Sequence, residues 1–147
     1  MKQKEPVDEL RALIDTARIG MLSTVGNDGF PHLRWMTVAT LQGQKDFIYC
    51  VSGIGSTKVA DIEGSDKVAW SFQSVTLDRI VKVAGRARVI TIPELKAQVL
   101  EALGRNLDLF WRINPDPGRL VVIETAIERL SLYRPAEGAV TDVEAAR

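Results

Sequence analysis

Arg79-Ile-Val-Lys-Val-Ala-Gly-Arg-Ala-Arg-Val-Ile90 is the stretch on which the reading of the fold turns. Apolar and polar residues alternate at both of its ends, as in a strand with one buried face. Gly85 interrupts the middle, and a glycine inside a strand marks a bulge or a tight bend, the device by which barrels turn corners. The neighbouring segments are also strands. Residues 67–73 alternate after a turn at 64–66, and residues 46–51 are apolar and aromatic. Residues 19–25 and 31–41 flank Gly26-Asn-Asp-Gly29, a hairpin turn whose residue types tolerate positive φ. Residues 120–125 and 127–133 supply the last two strands. Six or seven strands with short turns predict a small antiparallel barrel, of mainly β (α+β) class, with a few helices at its rim.

The helices are short. Residues 6–17 place Val7, Leu10, Leu13, Ile14 and Ala17 on one face, with Asp8 and Glu9 in the first turn. A second helix starts at Ser56 or Thr57 and runs to Glu63. Thr91 is the expected cap of a third, which buries Leu95, Val99 and Leu103 and stops at Gly104. Residues 107–113 add a further turn or two, and Asn114-Pro-Asp-Pro-Gly118 breaks the chain. Residues 135–147 are small and polar, and are expected to be a flexible tail.

The 147 residues suit one domain, with its core over about residues 8–133. The 19 basic and 19 acidic residues cancel, so any anion must be held by local charge, and nucleic acid is not an expected partner. Cys50 is the single cysteine; it lies in an apolar strand and is expected to be a buried, inert thiol. No apolar run reaches membrane-spanning length. The N-terminus lacks the apolar segment of a signal peptide, so a cytoplasmic location is expected. One histidine, His32, and no cysteine cluster predict no metal site. His32 follows a turn and is expected at the rim. Asp61, Glu63 and Asp66 surround a helix end and are expected on a solvated face. Arg86 and Arg88 share a strand face, but without exposed aromatics around them they make a poor nucleic-acid patch.

The functional signal lies in Val51-Ser-Gly-Ile-Gly-Ser-Thr-Lys-Val-Ala-Asp-Ile62, where a strand end passes through a glycine loop into a helix. Helix N-termini present free N–H groups and the positive end of the macrodipole. Ser56 and Thr57 add hydroxyls, Lys58 adds a charge, and Gly53 and Gly55 allow close approach to the backbone. These are the parts of a phosphate site; an ordinary turn and cap with a solvated lysine is the plainer account. Arg34, inside His32-Leu-Arg-Trp-Met36, is a charge in a half-buried strand and needs a partner. A protein carboxylate meets that need, and so does a ligand phosphate.

These segments together resemble the FMN-binding split β-barrel proteins, the pyridoxamine 5′-phosphate oxidase-like superfamily, and within it the general stress protein type. The resemblance rests on Ile19-Gly-Met-Leu-Ser-Thr-Val25, Asp28-Gly-Phe-Pro-His-Leu-Arg-Trp-Met36, Ser56-Thr-Lys58 and Asp78-Arg-Ile-Val-Lys-Val-Ala-Gly-Arg-Ala-Arg88. It implies FMN as cofactor, its phosphate held by Arg34, Ser56, Thr57 and Lys58. It implies that the backbone of Trp35, Met36 and Thr37 faces the isoalloxazine and that Val51 and Ser52 line it. It further implies a homodimer with flavin at the subunit interface. Apolar and aromatic residues of 67–72 and 79–90 are the expected interface material, and Trp111 or Tyr133 is the expected cover of the ring. Ile80 stands where the true oxidases carry glutamine, and their Trp- and Arg-bearing C-terminal segment has no counterpart. Pyridoxamine phosphate oxidation is therefore not expected. The implied function is that of a flavoprotein oxidoreductase acting on a small molecule. The alternatives are a flavin-binding stress or sensor module without turnover, or a relative that binds F420 or heme.

Overall fold

The computed structural model describes residues 6–104 and 108–144. Seven strands form one antiparallel sheet: β1 (Ile19–Val25), β2 (Pro31–Thr37), β3 (Phe47–Gly53), β4 (Lys67–Gln73), β5 (Ile80–Ile90), β6 (Leu120–Arg134) and β7 (Ala139–Glu144). Their order is β2-β1-β4-β5-β6-β3, with β7 also on β6. The sheet curls until its two outer strands approach each other. Closure amounts to one bridge, in which Ala39 and Tyr49 exchange backbone hydrogen bonds of 2.8 and 2.9 Å. The result is a split barrel, as the sequence predicts.

The bend falls where Gly85 places it. The β6 partner jumps from Arg129 to Ile127 between Ala84 and Gly85, so β6 carries the extra residue. A Cβ on Gly85 would lie 2.1 Å from the carbonyl oxygen of Ala126. The two backbones approach too closely there for any side chain.

Two apolar clusters divide the sheet. The barrel interior holds Leu22, Ile48, Cys50, Trp70, Phe72, Val81 and Ile123. It is closed by Leu10, Leu13 and Ile14 of α1 (Pro6–Ala17) and by Val59 and Ile62 of α2 (Thr57–Gly64). The second cluster sets Tyr49, Val51, Leu120 and Val122 against Val99 and Leu103 of α3 (Pro93–Leu103). β3 is therefore buried on both faces. The outer face of β2 and β1 is not covered: Leu33 and Trp35 project from it, Trp35 at 64% exposure.

Several local expectations are corrected. β2 stops at Thr37, not at 41, because its neighbour β1 begins at Ile19, opposite Thr37. Val38 then bonds to Arg18 and Ala39 to Tyr49, so the chain changes partners. β3 continues past Val51 to Gly53. Thr91 does not cap α3; Ile92 occupies that position without a side-chain bond. The two last strands are one, β6, with no break at Ala126. The tail is not flexible along its whole length, since β7 pairs residue by residue from Arg134↔Ala139 to Arg129↔Glu144. Its side chains are all exposed, so backbone bonding to an open edge orders it rather than burial. Helix α4 (Asp108–Ile113) matches the expected turn at 107–113; Leu107 and residues 145–147 lie outside the described residues. Trp70, Phe72, Val81 and Val83 are buried in the barrel, so they are not interface material; the period of two turns the apolar set of β4 and β5 inward.

Candidate functional site

α2 closes one end of the barrel, and the candidate site forms around its first turns. Ser56, not Thr57, is the N-cap, its hydroxyl oxygen accepting from the Val59 N–H at 3.4 Å. The Ser56 and Ser52 hydroxyls are 2.9 Å apart, which ties the loop to β3. A Cβ added to Gly53 or Gly55 would meet no atom within 4 Å. Their backbone faces open space, as a ligand's approach requires.

Lys58 is partly buried. Burial and the nearby positive charge of Arg34 both pull its ammonium below the usual 10.5. The Cys50 thiol, pushed up to about 12 by burial, feels the Lys58 charge in turn. Lys58 therefore lies within electrostatic reach of both β2 and β3. Arg34 and Lys58, from separate elements, converge, and no carboxylate of the described residues forms an ion pair with Lys58.

Arg34 has its protein carboxylate. Asp61 is only 4% exposed, which overturns the expectation of a solvated face. Its Oδ2 accepts from Thr24 Oγ1 at 2.8 Å and from His32 Nδ1 at 2.8 Å, and stands 3.6 Å from Arg34 Nη2. Arg34 Nη1 donates to Thr24 Oγ1 at 2.6 Å and to the His32 carbonyl at 3.1 Å. Burial alone would raise the Asp61 carboxyl. The bonds from Thr24 and His32, with the charges of His32 and Arg34, hold it below the usual 3.8. The hydrogen bond to Asp61 raises His32 above its usual 6.5, against a smaller desolvation effect, and Asp28 at 3.5 Å from Nε2 adds to the rise. His32 does sit at the rim, about a third exposed.

The other expected site residues divide by face. Arg34 and Met36 point inward, and Met36 belongs to the barrel core. Trp35 is on the outer face, and Thr37 follows it in phase. Val51 is buried against the α3 cluster, so only its backbone faces the loop side. Tyr133 lies opposite Ile80 and Val140, and Trp111 packs edge-on to Phe110; neither is among the groups joined to Arg34 or Lys58. Arg86 binds Asp66 and Glu128, and Arg88 binds Glu124, so the β5 arginines are neutralised. No group of three potential metal ligands occurs among the described residues. No helix among them is long and apolar enough to cross a membrane.

Sequence reasoning missed Asp61. The available signal was the alternation of His32 and Arg34 on one inward strand face, two basic groups that require an acid.

This curled antiparallel sheet, open at one seam and closed at its end by a capped helix, defines an FMN-binding split-barrel fold. The chain belongs to the pyridoxamine 5′-phosphate oxidase family, whose model matches residues 6–134. Among solved structures, it is similar to a protein related to general stress protein 26 from Clostridium acetobutylicum. That match has 14% identity, TM-score 0.73 and 96% coverage of each chain. A pyridoxamine 5′-phosphate oxidase-related, FMN binding protein from Nostoc punctiforme aligns at 11% identity and TM-score 0.70 over 100% of both chains. A heme binding protein from Mycobacterium smegmatis aligns at 16% identity and TM-score 0.75, over 98% of this chain and 60% of that one. No curated protein matches the sequence.

Proposed function

We propose that this protein binds FMN, with the phosphate held by Arg34, Lys58 and the hydroxyls of Ser56 and Thr57. The observation that carries the reading is that Lys58, in the first turn of α2 beside a Gly53 and Gly55 backbone that faces open space, bears a charge that burial and the nearby Arg34 disfavour until an anion arrives. Ser52 tethers the loop, and the Trp35–Met36–Thr37 backbone together with that of Val51 offers a surface to the ring. The exposed Leu33 and Trp35 suit a second copy of the chain, and a homodimer that completes each flavin site follows from the proposal. A bound flavin supplies hydride chemistry at N5, and the protein supplies position and electrostatics. Oxidation or reduction of a small molecule, at a cytoplasmic location, is the activity we infer.

Heme is disfavoured through its one histidine candidate. With Nδ1 donating to Asp61, Nε2 is the nitrogen that would have to ligate iron, and it stands 3.5 Å from the Asp28 carboxylate instead. F420 presents a phosphate of the same kind and is separated from FMN by its spectrum. The absorption spectrum of the purified protein tests the reading, with the two-banded visible spectrum of an oxidised flavin as the expected result. A heme Soret band refutes it. Flavin-dependent consumption of NAD(P)H then separates an oxidoreductase from a flavin-binding module.

A further inference from the structure

We propose that Asp61, clamped by His32, is the positioning residue that sets the phosphate affinity of Arg34. The inference rests on the flavin-phosphate reading and adds to it a carboxylate and a titratable switch.

Thr24 has one hydroxyl proton, and it goes to Asp61. The hydroxyl oxygen is thereby turned so that its lone pairs face Arg34 Nη1, which donates to it. Nη1 also donates to the His32 carbonyl, so both its hydrogens are engaged. Nη2 stands 3.6 Å from Asp61, beyond hydrogen-bond range. The guanidinium is thus held by one nitrogen, and its other donors are left to a ligand. Removal of Asp61 frees the Thr24 hydroxyl to rotate, and Arg34 loses its fixed direction.

His32 decides how strongly Asp61 competes for Arg34. Among the described residues, His32 and Arg34 are the two basic groups within 4 Å of Asp61. Asp28, from the β1–β2 turn, faces the other side of the imidazole. Lys58, on α2 with Asp61, reaches Arg34 electrostatically. Protonated His32 satisfies Asp61 and leaves the charges of Arg34 and Lys58 to an anion. Neutral His32 leaves Arg34 as the full positive charge beside Asp61, and Arg34 is drawn onto it. Phosphate affinity therefore falls as His32 loses its proton. Gly26 makes the arrangement possible, since a Cβ there would lie 2.3 Å from the His32 ring.

The test measures binding of FMN and riboflavin by flavin fluorescence for the parent, Asp61→Ala and His32→Gln. Asp61→Ala removes a negative charge, so simple attraction predicts tighter FMN binding. It also removes the acceptor of the Thr24 hydroxyl, and loss of position predicts binding weaker by about tenfold, with riboflavin unchanged. Tighter or unchanged FMN binding by Asp61→Ala overturns the proposal. The flavin phosphate gains charge near pH 6 or so, so His32→Gln is compared with the parent at each pH. The parent should bind FMN about tenfold more tightly at about pH 6 and equally at about pH 9. A ratio that does not move with pH also overturns the proposal. Circular dichroism reports folding of Asp61→Ala; if that variant is unfolded, the pH ratio of rim-exposed His32→Gln decides. A parent that binds FMN no better than riboflavin refutes the phosphate reading itself, and the inference falls with it. A parent that prefers FMN, with variants that behave like it, refutes the inference alone.

Discussion

Lys58→Ala should have opposite effects on folding and on binding. Without ligand, the Lys58 ammonium is an uncompensated charge, partly buried and repelled by Arg34. A lysine whose pKa is lower in the folded than in the unfolded state opposes folding wherever both states carry the proton. That penalty lifts only as pH rises from the folded value toward the usual 10.5. Alanine is also a better helix former in the first turn of α2. At neutral pH the variant should therefore be as stable as the parent or slightly more so. FMN binding should weaken, because a hydrogen bond to a charged group contributes about 1.5–3 kcal/mol, or roughly 10- to 100-fold in affinity. The deficit should shrink with added salt, which screens the partly exposed charge. Fluorescence titration at low and high salt, with thermal melts, measures all three effects. Lys67→Ala, an exposed lysine at the start of β4, is the control. A Lys58→Ala protein that binds FMN like the parent, or that loses stability, would refute the reasoning.

Other consequences follow from the same geometry. Gly85→Ala places a methyl 2.1 Å from the Ala126 carbonyl oxygen; neither backbone can retreat without breaking the β5–β6 ladder, and the melting temperature should fall by roughly 5–10 °C. Glu9 accepts from Arg79 at 2.7 Å and from Arg134 at 3.2 Å. Burial raises its carboxyl, but these bonds and charges hold it below the usual 4.5. Its stabilisation is present above that value and lost as pH falls through the folded value. Glu9→Gln should cost about 2 kcal/mol at neutral pH and flatten the acid limb of a urea-melt series. Trp35→Asp puts a charge on the uncovered sheet face and should convert the proposed dimer to a folded monomer in light scattering; a dimer in both proteins would place the interface elsewhere, and a monomeric parent would refute the dimer.

Much of the fold can be read in the chain because barrel strands declare themselves by alternation. β4 falls on the expected residues, and Gly85 marks the bend because no other residue fits between the β5 and β6 backbones. β7 carries no such pattern. Its side chains are all exposed, and it exists because β6 extends beyond the end of β3 and leaves an edge to pair. The end of β2 was equally hidden, since Val38 and Ala39 are as apolar as a strand interior but bond to Arg18 and Tyr49 instead. In the site, Arg34, Ser56 and Lys58 stand out because their residue types suit an anion. Asp61 does not stand out. In Ala60-Asp61-Ile62-Glu63 it looks like any helix-surface acid, and its burial depends on donors 29 and 37 residues away in sequence.

Paired titrations of the parent protein with FMN and riboflavin test the central claim most directly, since the two ligands differ only in the phosphate. The phosphate site predicts FMN binding at least about tenfold tighter than riboflavin, with the margin narrowing as salt rises. Equal affinity for the two, or a margin indifferent to salt, would contradict it.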